Sequence, residues 1–313
     1  MNNDTGILLI AVGHPIFGEL AANCAMSLKA NNCPYPVALA SMPCALQTLP
    51  TGHLDGLFDR HLSVPNWVTL GEDGHRQWVK VKQYLDVISP FEKTLYIDAD
   101  SLLLPNKSIE SVMKLLSLFP FHPMIYGWGN MDSGDASVNY FWLNEQKDLK
   151  KLKSTFKLKG NRVYATNTSL VYFDRSKQSE TVFKTVREVA ANYPEYATSW
   201  RDGVPDEFLY MIGMCKAGIK THIVPCIPAY IEVMERGILR NKQVQPMHIQ
   251  KNYKMISMVG TCGDSSLQVY HNSLKSYVTK LNKEKYFAYR TKDDYIKHNP
   301  ISKYKVQPDE SNE

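Results

Sequence analysis

Apolar residues alternate between two spacings along the first part of the chain. Residues 7–12 are a continuous apolar run that ends at Gly13, which is typical of a strand buried on both faces of a parallel sheet. Residues 18–30 then repeat apolar side chains at helical spacing, and residues 37–40 form a second short apolar run. This order of strand, helix and strand predicts a βαβ unit.

The same alternation continues through the middle of the chain. Apolar side chains from Trp78 to Ile88 recur at helical spacing, and residues 94–97 form a short strand that leads directly into Asp98. Further elements are expected at residues 109–118 (helix), 124–126 (strand), 169–173 (strand), 179–193 (helix) and 207–217 (helix). The pattern predicts an α/β fold with a mixed, mostly parallel sheet flanked by helices.

Three stretches interrupt this pattern. Residues 43–74 are rich in Pro and Gly and receive no assignment, and residues 147–159 are Lys-rich and predict an exposed insertion. From Tyr270 to the end the chain is rich in Lys and Tyr with weak periodicity, which predicts a peripheral helix. We therefore expect a main domain at residues 1–258, a basic, Tyr-rich C-terminal extension at residues 259–306 and a disordered tail at residues 307–313.

The composition is that of an ordinary globular protein. Of 313 residues, 44% are hydrophobic and 21% are charged, which excludes disordered and collagen-like classes. No apolar run approaches the roughly 18 residues that a membrane span needs. Residues 1–6 hold an acid and no Lys or Arg, unlike a secretory signal. We expect no membrane span and a cytoplasmic protein.

The net charge of +5 is unevenly distributed along the chain. Residues 238–306 hold a strong excess of Lys and Arg over Asp and Glu. Such a region suits a phosphate-rich ligand, a nucleic acid or an anionic membrane surface, and it equally suits a solvated surface with no partner.

Asp98 and Asp100 form an Asp-x-Asp motif directly after a predicted strand. Residues i and i+2 of an extended segment point to the same side, so both carboxylates can face one hard cation, Mn²⁺ or Mg²⁺. Apolar residues flank the motif on both sides, and two carboxylates in such surroundings repel each other unless a cation is present. The alternative without function is a turn in which two aspartates occur by chance.

Several motifs in order carry a family resemblance. Residues 10–13, residues 76–80 and above all residues 89–100 resemble the GT-A glycosyltransferases of the retaining family 8, which includes glycogenin and the bacterial lipopolysaccharide galactosyltransferases. The resemblance covers about residues 7–254. It implies that residues 1–258 bind a nucleotide sugar, most simply a UDP-sugar, through Ala11, Val12, Gly13, Arg76, Lys80, Asp98, Ala99, Asp100 and Lys254.

Two later motifs resemble the part of the family that faces the donor sugar. Residues 166–174 are similar to the family's Asn-Ser-Gly strand, with Asn167 in place and Ser169 where glycine is usual. Asp206 and Glu207 fall where the family has Asp-Gln. The resemblance implies that Asn167, Asp206 and Glu207 are the catalytic residues. A carboxylate at Glu207 could serve as a nucleophile or a base, which an amide does less readily, so the stereochemical outcome stays open.

The last motif is His248 followed by Lys254. It is similar to the family's His-x-x-Gly-x-x-Lys, with Lys251 in place of the glycine. The resemblance implies that His248 joins Asp98 and Asp100 as a metal ligand and that Lys254 reaches the diphosphate.

The sequence therefore predicts a metal-dependent hexosyltransferase that moves a sugar from a nucleoside diphosphate sugar to an acceptor hydroxyl, with a glycan as the expected acceptor. The tyrosines among the C-terminal lysines leave open a nucleic-acid acceptor, as in the glycosylation of modified DNA bases. Two other readings remain. One is an Asp-x-Asp phosphatase of the haloacid dehalogenase type, although Gln268 stands where its later acid is needed. The other is an inactive sugar-nucleotide-binding protein.

Overall fold

The computed structural model describes most of the chain as helices and strands. The described residues are 4–71, 76–136, 143, 148–193, 195, 205–221, 226–231, 244–258, 263–283 and 285–288. In chain order the elements are β1 (Thr5–Ala11), α1 (Ile16–Ala30), β2 (Val37–Ser41), α2 (Pro43–Leu46), β3 (Arg60–Ser63), two 3₁₀ helices (Asn66–Thr69 and Trp78–Tyr84), α3 (Leu85–Ile88), β4 (Lys93–Ile97), β5 (Ser101–Leu103), α4 (Ile109–Leu116), β6 (Phe121–Asn130), α5 (Asp148–Thr155), β7 (Arg162–Asp174), α6 (Lys177–Asn192), α7 (Asp206–Ala217), β8 (Ala229–Ile231), α8 (Pro246–Asn252), β9 (Met255–Ser257) and α9 (Asp264–Leu281).

The central sheet has six strands in the order β3-β2-β1-β4-β7-β6. The first four run parallel, whereas β7 is antiparallel to both of its neighbours, β4 and β6. The strand β7 is therefore the one reversed strand, and the prediction of a mixed, mostly parallel sheet is confirmed. The apolar runs that predicted β1 and β2 are buried on both faces, as parallel strands require.

Helices cover the sheet and close the core. Helix α1 contacts β1 and β2, while α6 and α7 pack against each other and against β6 and β7. Phe121, Phe173, Phe183 and Tyr210 form an aromatic cluster there, with ring centroids 5.1 to 6.0 Å apart. Such ring pairs add to the free energy gained from apolar burial.

A second, three-stranded sheet has the order β5-β9-β8 and was not predicted. It begins at the Asp-x-Asp motif, where the amide of Ser101 donates to the carbonyl of Asp98 at 3.0 Å and the chain turns into β5. Strand β9 pairs antiparallel with β5, so Ser257 lies opposite Ser101. A segment about 150 residues away in sequence is thereby placed beside the motif.

Helix α9 corrects the expectation of a peripheral C-terminal helix. It packs against α1, and the residues Val269, Tyr270, Leu274 and Tyr277 are buried. The hydroxyl of Tyr277 donates to the carbonyl of Leu103 at 2.5 Å. The tyrosines spaced along this helix are therefore core residues, since they point inward at helical spacing. Residues 289–313, with most of the predicted extension and tail, lie outside the described residues.

The Lys-rich segment is also less exposed than predicted. Its described part contains α5, where Leu149 and Leu152 are buried and the lysines lie on the other face, as in an amphipathic helix. The search for membrane spans, which covered the described residues, found no helix both long and apolar enough to cross a bilayer.

Candidate active site

Three elements bring charged side chains together at the carboxyl edge of the central sheet. Asp98 follows β4, and its amide donates to the carbonyl of Ser169 on β7 at 2.8 Å. Asp206 is the first residue of α7, and Lys82 lies in the second 3₁₀ helix. This edge is where ligands bind in open α/β sheets.

Lys82 is the centre of this cluster. Its Nζ lies 2.9 Å from Asp98 Oδ1, 3.2 Å from Asp206 Oδ2 and 3.3 Å from Thr168 Oγ1. Its side chain is 15% exposed. Burial opposes the charged ammonium, but the carboxylates of Asp206 and Asp98 outweigh it and hold the pKa of Lys82 well above its ordinary value. The ammonium therefore stays charged between two acids.

Arg76 and Lys80 were predicted to contact the nucleotide sugar, whereas Lys82, the cation between the two acids, was not predicted. Arg76 instead donates to the carbonyl of Asn66 at 2.9 Å, and Lys80 donates to the carbonyl of Leu70 at 2.5 Å. Both side chains are thus engaged with loop backbone. Helical spacing from Trp78 does not identify Lys82, because the segment is a 3₁₀ helix, in which residues three positions apart share a face.

Lys82 supplies a positive charge to one of the two Asp-x-Asp carboxylates. Asp98 accepts from the hydroxyl of Tyr96 at 2.5 Å and pairs with the ammonium of Lys82. The positive charge that this acid requires in apolar surroundings is supplied by the protein itself. Lys82 thus balances part of the charge of the motif, and a metal bound by Asp98 and Asp100 stays a prediction.

The pKa values of the neighbouring acids Asp206 and Glu207 are shifted in opposite directions. Burial opposes ionisation of Asp206, but Lys82 and the Thr168 hydroxyl, 2.5 Å away, outweigh it, so the pKa of Asp206 lies below its ordinary value. The pKa of Glu207 lies well above its ordinary value, because of burial first and the charge of Asp206 second. Within this pair Glu207 therefore holds a proton more tightly than Asp206 does.

Asn167 lies in β7 close to this pair and is buried. Its side-chain oxygen accepts from the amide of Ser169 at 2.9 Å, so that oxygen is turned toward its own strand. Next to it, the hydroxyl of Thr166 donates to the carbonyl of Glu207 at 2.8 Å and ties β7 to the start of α7.

Asp100 lies in a different environment, beside the small sheet. The hydroxyl of Ser257 lies 3.3 Å from Asp100 Oδ1 and 3.3 Å from the hydroxyl of Ser169. The amide of Met258 donates to the carbonyl of Asp100 at 3.2 Å. Asp100 is partly exposed, whereas both serines are buried.

His248 is not placed beside the two acids. It is exposed on α8, and its Nδ1 lies 3.1 Å from the side-chain nitrogen of Asn252. Among the described residues, no three His, Cys, Asp or Glu side chains lie close enough together to hold a metal ion. The set of Asp98, Asp100 and His248 stays a prediction that the structure does not assemble. Lys254 is exposed, and its carbonyl accepts from Leu104 at 2.9 Å.

Ala11, Val12 and Gly13 lie where β1 ends, in line with the prediction of a binding loop there. Gly13 has φ +83°, a conformation that side chains other than glycine rarely adopt. A Cβ on Gly13 would stand 2.6 Å from the Trp78 ring. Glycine therefore lets the chain turn at the carboxyl edge while the indole packs directly on its backbone.

No family model and no curated protein matches the chain. Among solved structures, the galactosyltransferase LgtC in complex with donor and acceptor sugar analogues aligns at a TM-score of 0.50 and 12% identity, covering 92% of this chain and 98% of that one. An active-site mutant of LgtC aligns at 0.51 and 13% identity, with 92% and 98% covered.

The apo structure of the bifunctional glycosyltransferase WbbM aligns at a TM-score of 0.50 and 8% identity, covering 90% of this chain and 52% of that one. This chain spans about half the length of that protein. All three likenesses are at low identity, and what they establish is the architecture. The chain has the GT-A fold.

Proposed function

We propose that this chain is a glycosyltransferase that moves a sugar from a nucleoside diphosphate, UDP above all, to a hydroxyl of an acceptor glycan. The observation that carries the proposal is the cluster of Lys82, Asp98 and Asp206 at the carboxyl edge of a GT-A sheet. A buried ammonium between two acids at that edge supplies fixed charges where a phosphorylated ligand binds.

The nucleotide is placed by the end of β1 and the residues after β4. Ala11, Val12 and Gly13 offer backbone at the sheet edge, and Asp98 to Asp100 lie at the end of the adjacent strand. Because β1 and β4 are parallel neighbours, their carboxyl ends meet at one edge and bind one ligand. The same edge suits the base, ribose and diphosphate of a nucleotide.

The donor atoms near the diphosphate position fit a hard divalent cation, Mn²⁺ or Mg²⁺. Asp98 and Asp100 supply carboxylate oxygens, and the Oγ of Ser101 is buried without a hydrogen-bond partner among the described residues. Oxygen ligands are the ones that such cations prefer. A bound cation would neutralise the charge that develops on the leaving diphosphate. Lys82 lies 2.9 Å and 3.1 Å from the two carboxylate oxygens of Asp98.

The donor sugar faces the start of α7. Asp206 is held ionised by Lys82 and Thr168, so it stabilises the positive charge that develops at the anomeric carbon. The raised pKa of Glu207, caused by burial and by the charge of Asp206, favours its protonated form, which can donate a hydrogen bond as the amide of a glutamine does. We therefore assign Glu207 to orienting the sugar, and not to the role of a nucleophile or a base.

A glycan is the acceptor that we favour, because one structure of this fold holds donor and acceptor sugar analogues. Fewer aromatic side chains are available for stacking on nucleic-acid bases than the sequence indicated. Tyr270 and Tyr277, two aromatics considered for base stacking, are buried against α1 and β5.

The test is a thermal-shift panel of uridine, guanosine, adenosine and cytidine diphosphates, each with and without Mg²⁺ or Mn²⁺. A ligand that binds the folded chain raises its melting temperature by mass action. We expect a rise with UDP that is larger with metal. A panel with no shift for any nucleotide would contradict the proposed function.

A further inference from the structure

Helix α7 contacts both ends of Lys82. The ammonium lies 3.2 Å from Oδ2 of Asp206, the first residue of the helix. The backbone carbonyl of Lys82 accepts from the hydroxyl of Tyr210 at 2.5 Å. Residues i and i+4 lie on the same face of a helix, so Asp206 and Tyr210 reach Lys82 from one side. One helix therefore binds both the charged end and the backbone of this residue.

Side chains from outside the segment hold the backbone around Lys82. Lys82 lies in the last turn of the second 3₁₀ helix, and the chain leaves helical geometry at Tyr84, with φ −122° and ψ 22°. Hydrogen bonds within a 3₁₀ helix have poorer geometry than those of an α-helix. Besides Tyr210, the guanidinium of Arg187 on α6 donates to the carbonyl of Gln83 at 3.0 Å. The position of this backbone therefore depends on contacts from α6 and α7.

Tyr210 is itself held firmly in the core. Its side chain is fully buried, and its ring lies 5.1 Å from the ring of Phe121 and 6.0 Å from that of Phe183. Burial first, and the charge of Asp206 second, raise the pKa of Tyr210 well above its ordinary value. The hydroxyl thus keeps its proton and donates it to the carbonyl, in surroundings where a hydrogen bond is stronger than in water.

The ammonium of Lys82 tolerates little displacement. It lies 2.9 Å from Asp98 Oδ1 and 3.2 Å from Asp206 Oδ2. A shift of roughly 1 Å away from either acid would break that hydrogen bond, since such bonds end at about 3.5 Å. A lysine side chain is a flexible stem of four carbons, so its charged end has a fixed place only when its backbone is fixed as well.

We propose that Tyr210 is a positioning residue, whose hydroxyl fixes the backbone of Lys82 so that the ammonium stands between Asp98 and Asp206. This inference rests on the proposed function for the role of Lys82 as a fixed charge near the phosphorylated ligand, and it adds the residue that keeps this charge in place. Tyr210 acts through Lys82, because its hydroxyl is buried and engaged with the Lys82 carbonyl.

The chain offers a matched control for the loss of this hydroxyl. Tyr277 is also buried, and its hydroxyl donates to the carbonyl of Leu103 at 2.5 Å, where α9 meets β5. Tyr210→Phe and Tyr277→Phe each remove one hydrogen bond to a backbone carbonyl and keep the ring. We expect both variants to fold and to lose similar amounts in melting temperature, whereas only Tyr210→Phe should displace Lys82.

The first readout is the nuclear magnetic resonance signal of the Lys82 ammonium in the full chain, produced with isotope-labelled lysine. Lys82→Arg keeps the charge and removes the signal, which assigns it. We expect Tyr210→Phe to shift or broaden this signal and Tyr277→Phe to leave it in place. The proposal is overturned if the wild-type chain gives no separate signal for Lys82, or if the signal is the same in Tyr210→Phe as in wild type.

The second readout is the affinity for UDP with Mg²⁺, measured by titration calorimetry. Tyr210→Phe should weaken it by about 10-fold or more, since a misplacement of about 1 Å in a site can cost up to about 100-fold. Tyr277→Phe should leave the affinity unchanged. An equal loss in both variants, or no loss in Tyr210→Phe, would overturn the proposal. A wild-type chain that binds no UDP would contradict the proposed function instead, and the Lys82 signal would still decide whether Tyr210 positions the ammonium.

Discussion

The two acids of the Asp-x-Asp motif, two residues apart, are held by different chemistry. Asp98 belongs to the central sheet, where Lys82 and Tyr96 contact its carboxylate directly. Asp100 lies beside the small sheet, where the hydroxyl of Ser257 is 3.3 Å from its carboxylate. One acid is thus paired with a buried ammonium, and the other contacts a serine hydroxyl.

The largest effect should come from removing the ammonium on the Asp98 side. Lys82→Met leaves Asp98 and Asp206 without their shared partner, and breaking a buried ion pair by deleting one member typically costs about 3–5 kcal/mol. We expect a loss of that size in the free energy of unfolding, measured by urea denaturation. Lys80→Met is the matched control, since Lys80 makes one contact to backbone in the described residues, and it should change stability little. Equal stability of both variants would break the comparison.

The next effect separates the two acids directly. Asp98→Asn removes the charge that pairs with Lys82 and should cost about 1–3 kcal/mol of stability. Asp100→Asn removes a partly exposed charge and should cost about 1 kcal/mol or less, yet it should abolish the metal-dependent part of nucleotide binding. Urea denaturation and thermal shifts with UDP and Mn²⁺ measure the two quantities on the same samples. A larger stability loss for Asp100→Asn would reverse the assignment.

A substitution at Gly13, outside the surroundings of both acids, gives a reference for the size of these stability losses. Gly13→Ala puts a Cβ at φ +83° against the Trp78 ring, and we expect a loss of about 1–3 kcal/mol together with weaker nucleotide binding. Gly160→Ala is a close match, because its φ is +81° and nothing lies within 4 Å of the added carbon. The difference between the two variants isolates the contact with Trp78 from backbone strain. No difference in the free energy of unfolding would mean that the ring simply moves away.

The smallest effect concerns Glu207 and depends on pH. Its pKa is raised in the folded state, so the folded chain binds more protons than the unfolded chain, and stability falls as pH rises above the ordinary value of 4.5. Glu207→Gln removes that loss. The stability of the variant should therefore fall less than that of wild type as pH rises from about 4 to 7.

Donor turnover by Glu207→Gln should also stay close to that of wild type, because the amide keeps a hydrogen-bond donor where the raised pKa of Glu207 favours a protonated carboxyl. Urea denaturation across this pH range and a turnover assay at pH 7 test both statements. A variant that is less stable at pH 7, or one that loses turnover by 100-fold or more, would show that Glu207 works as a carboxylate.

The sequence predicted the elements whose signals are local. The apolar run of β1, the helical spacing of α1 and the strand before Asp98 are all found within a few residues of their predicted bounds. The position of Asp98 at a carboxyl edge followed from that strand alone. The start of α7 at Asp206 was also close to its prediction.

What the sequence could not predict depends on contacts between distant segments. Strands β5, β8 and β9 have three residues each, too few to show a period, and they are defined by pairing across the chain. The reversal of β7 leaves no trace in its apolar pattern. Ser257 lies beside Asp100 because β5 pairs with β9. Sequence motifs do not show this pairing, and they indicated His248 instead. The place of Lys82 between Asp98 and Asp206 likewise depends on contacts between segments that are distant in sequence.

The most direct test of the central claim measures the release of nucleoside diphosphate from a panel of nucleotide sugars. Each reaction contains Mg²⁺ or Mn²⁺ and either water or an added saccharide as the acceptor, and chromatography detects the released nucleotide. The account predicts that UDP is released from at least one UDP-sugar, that a saccharide acceptor increases the rate, and that Asp100→Asn abolishes the release. If the folded wild-type chain releases no nucleotide from any donor and binds none of them, the chain is not a glycosyltransferase and the account is wrong.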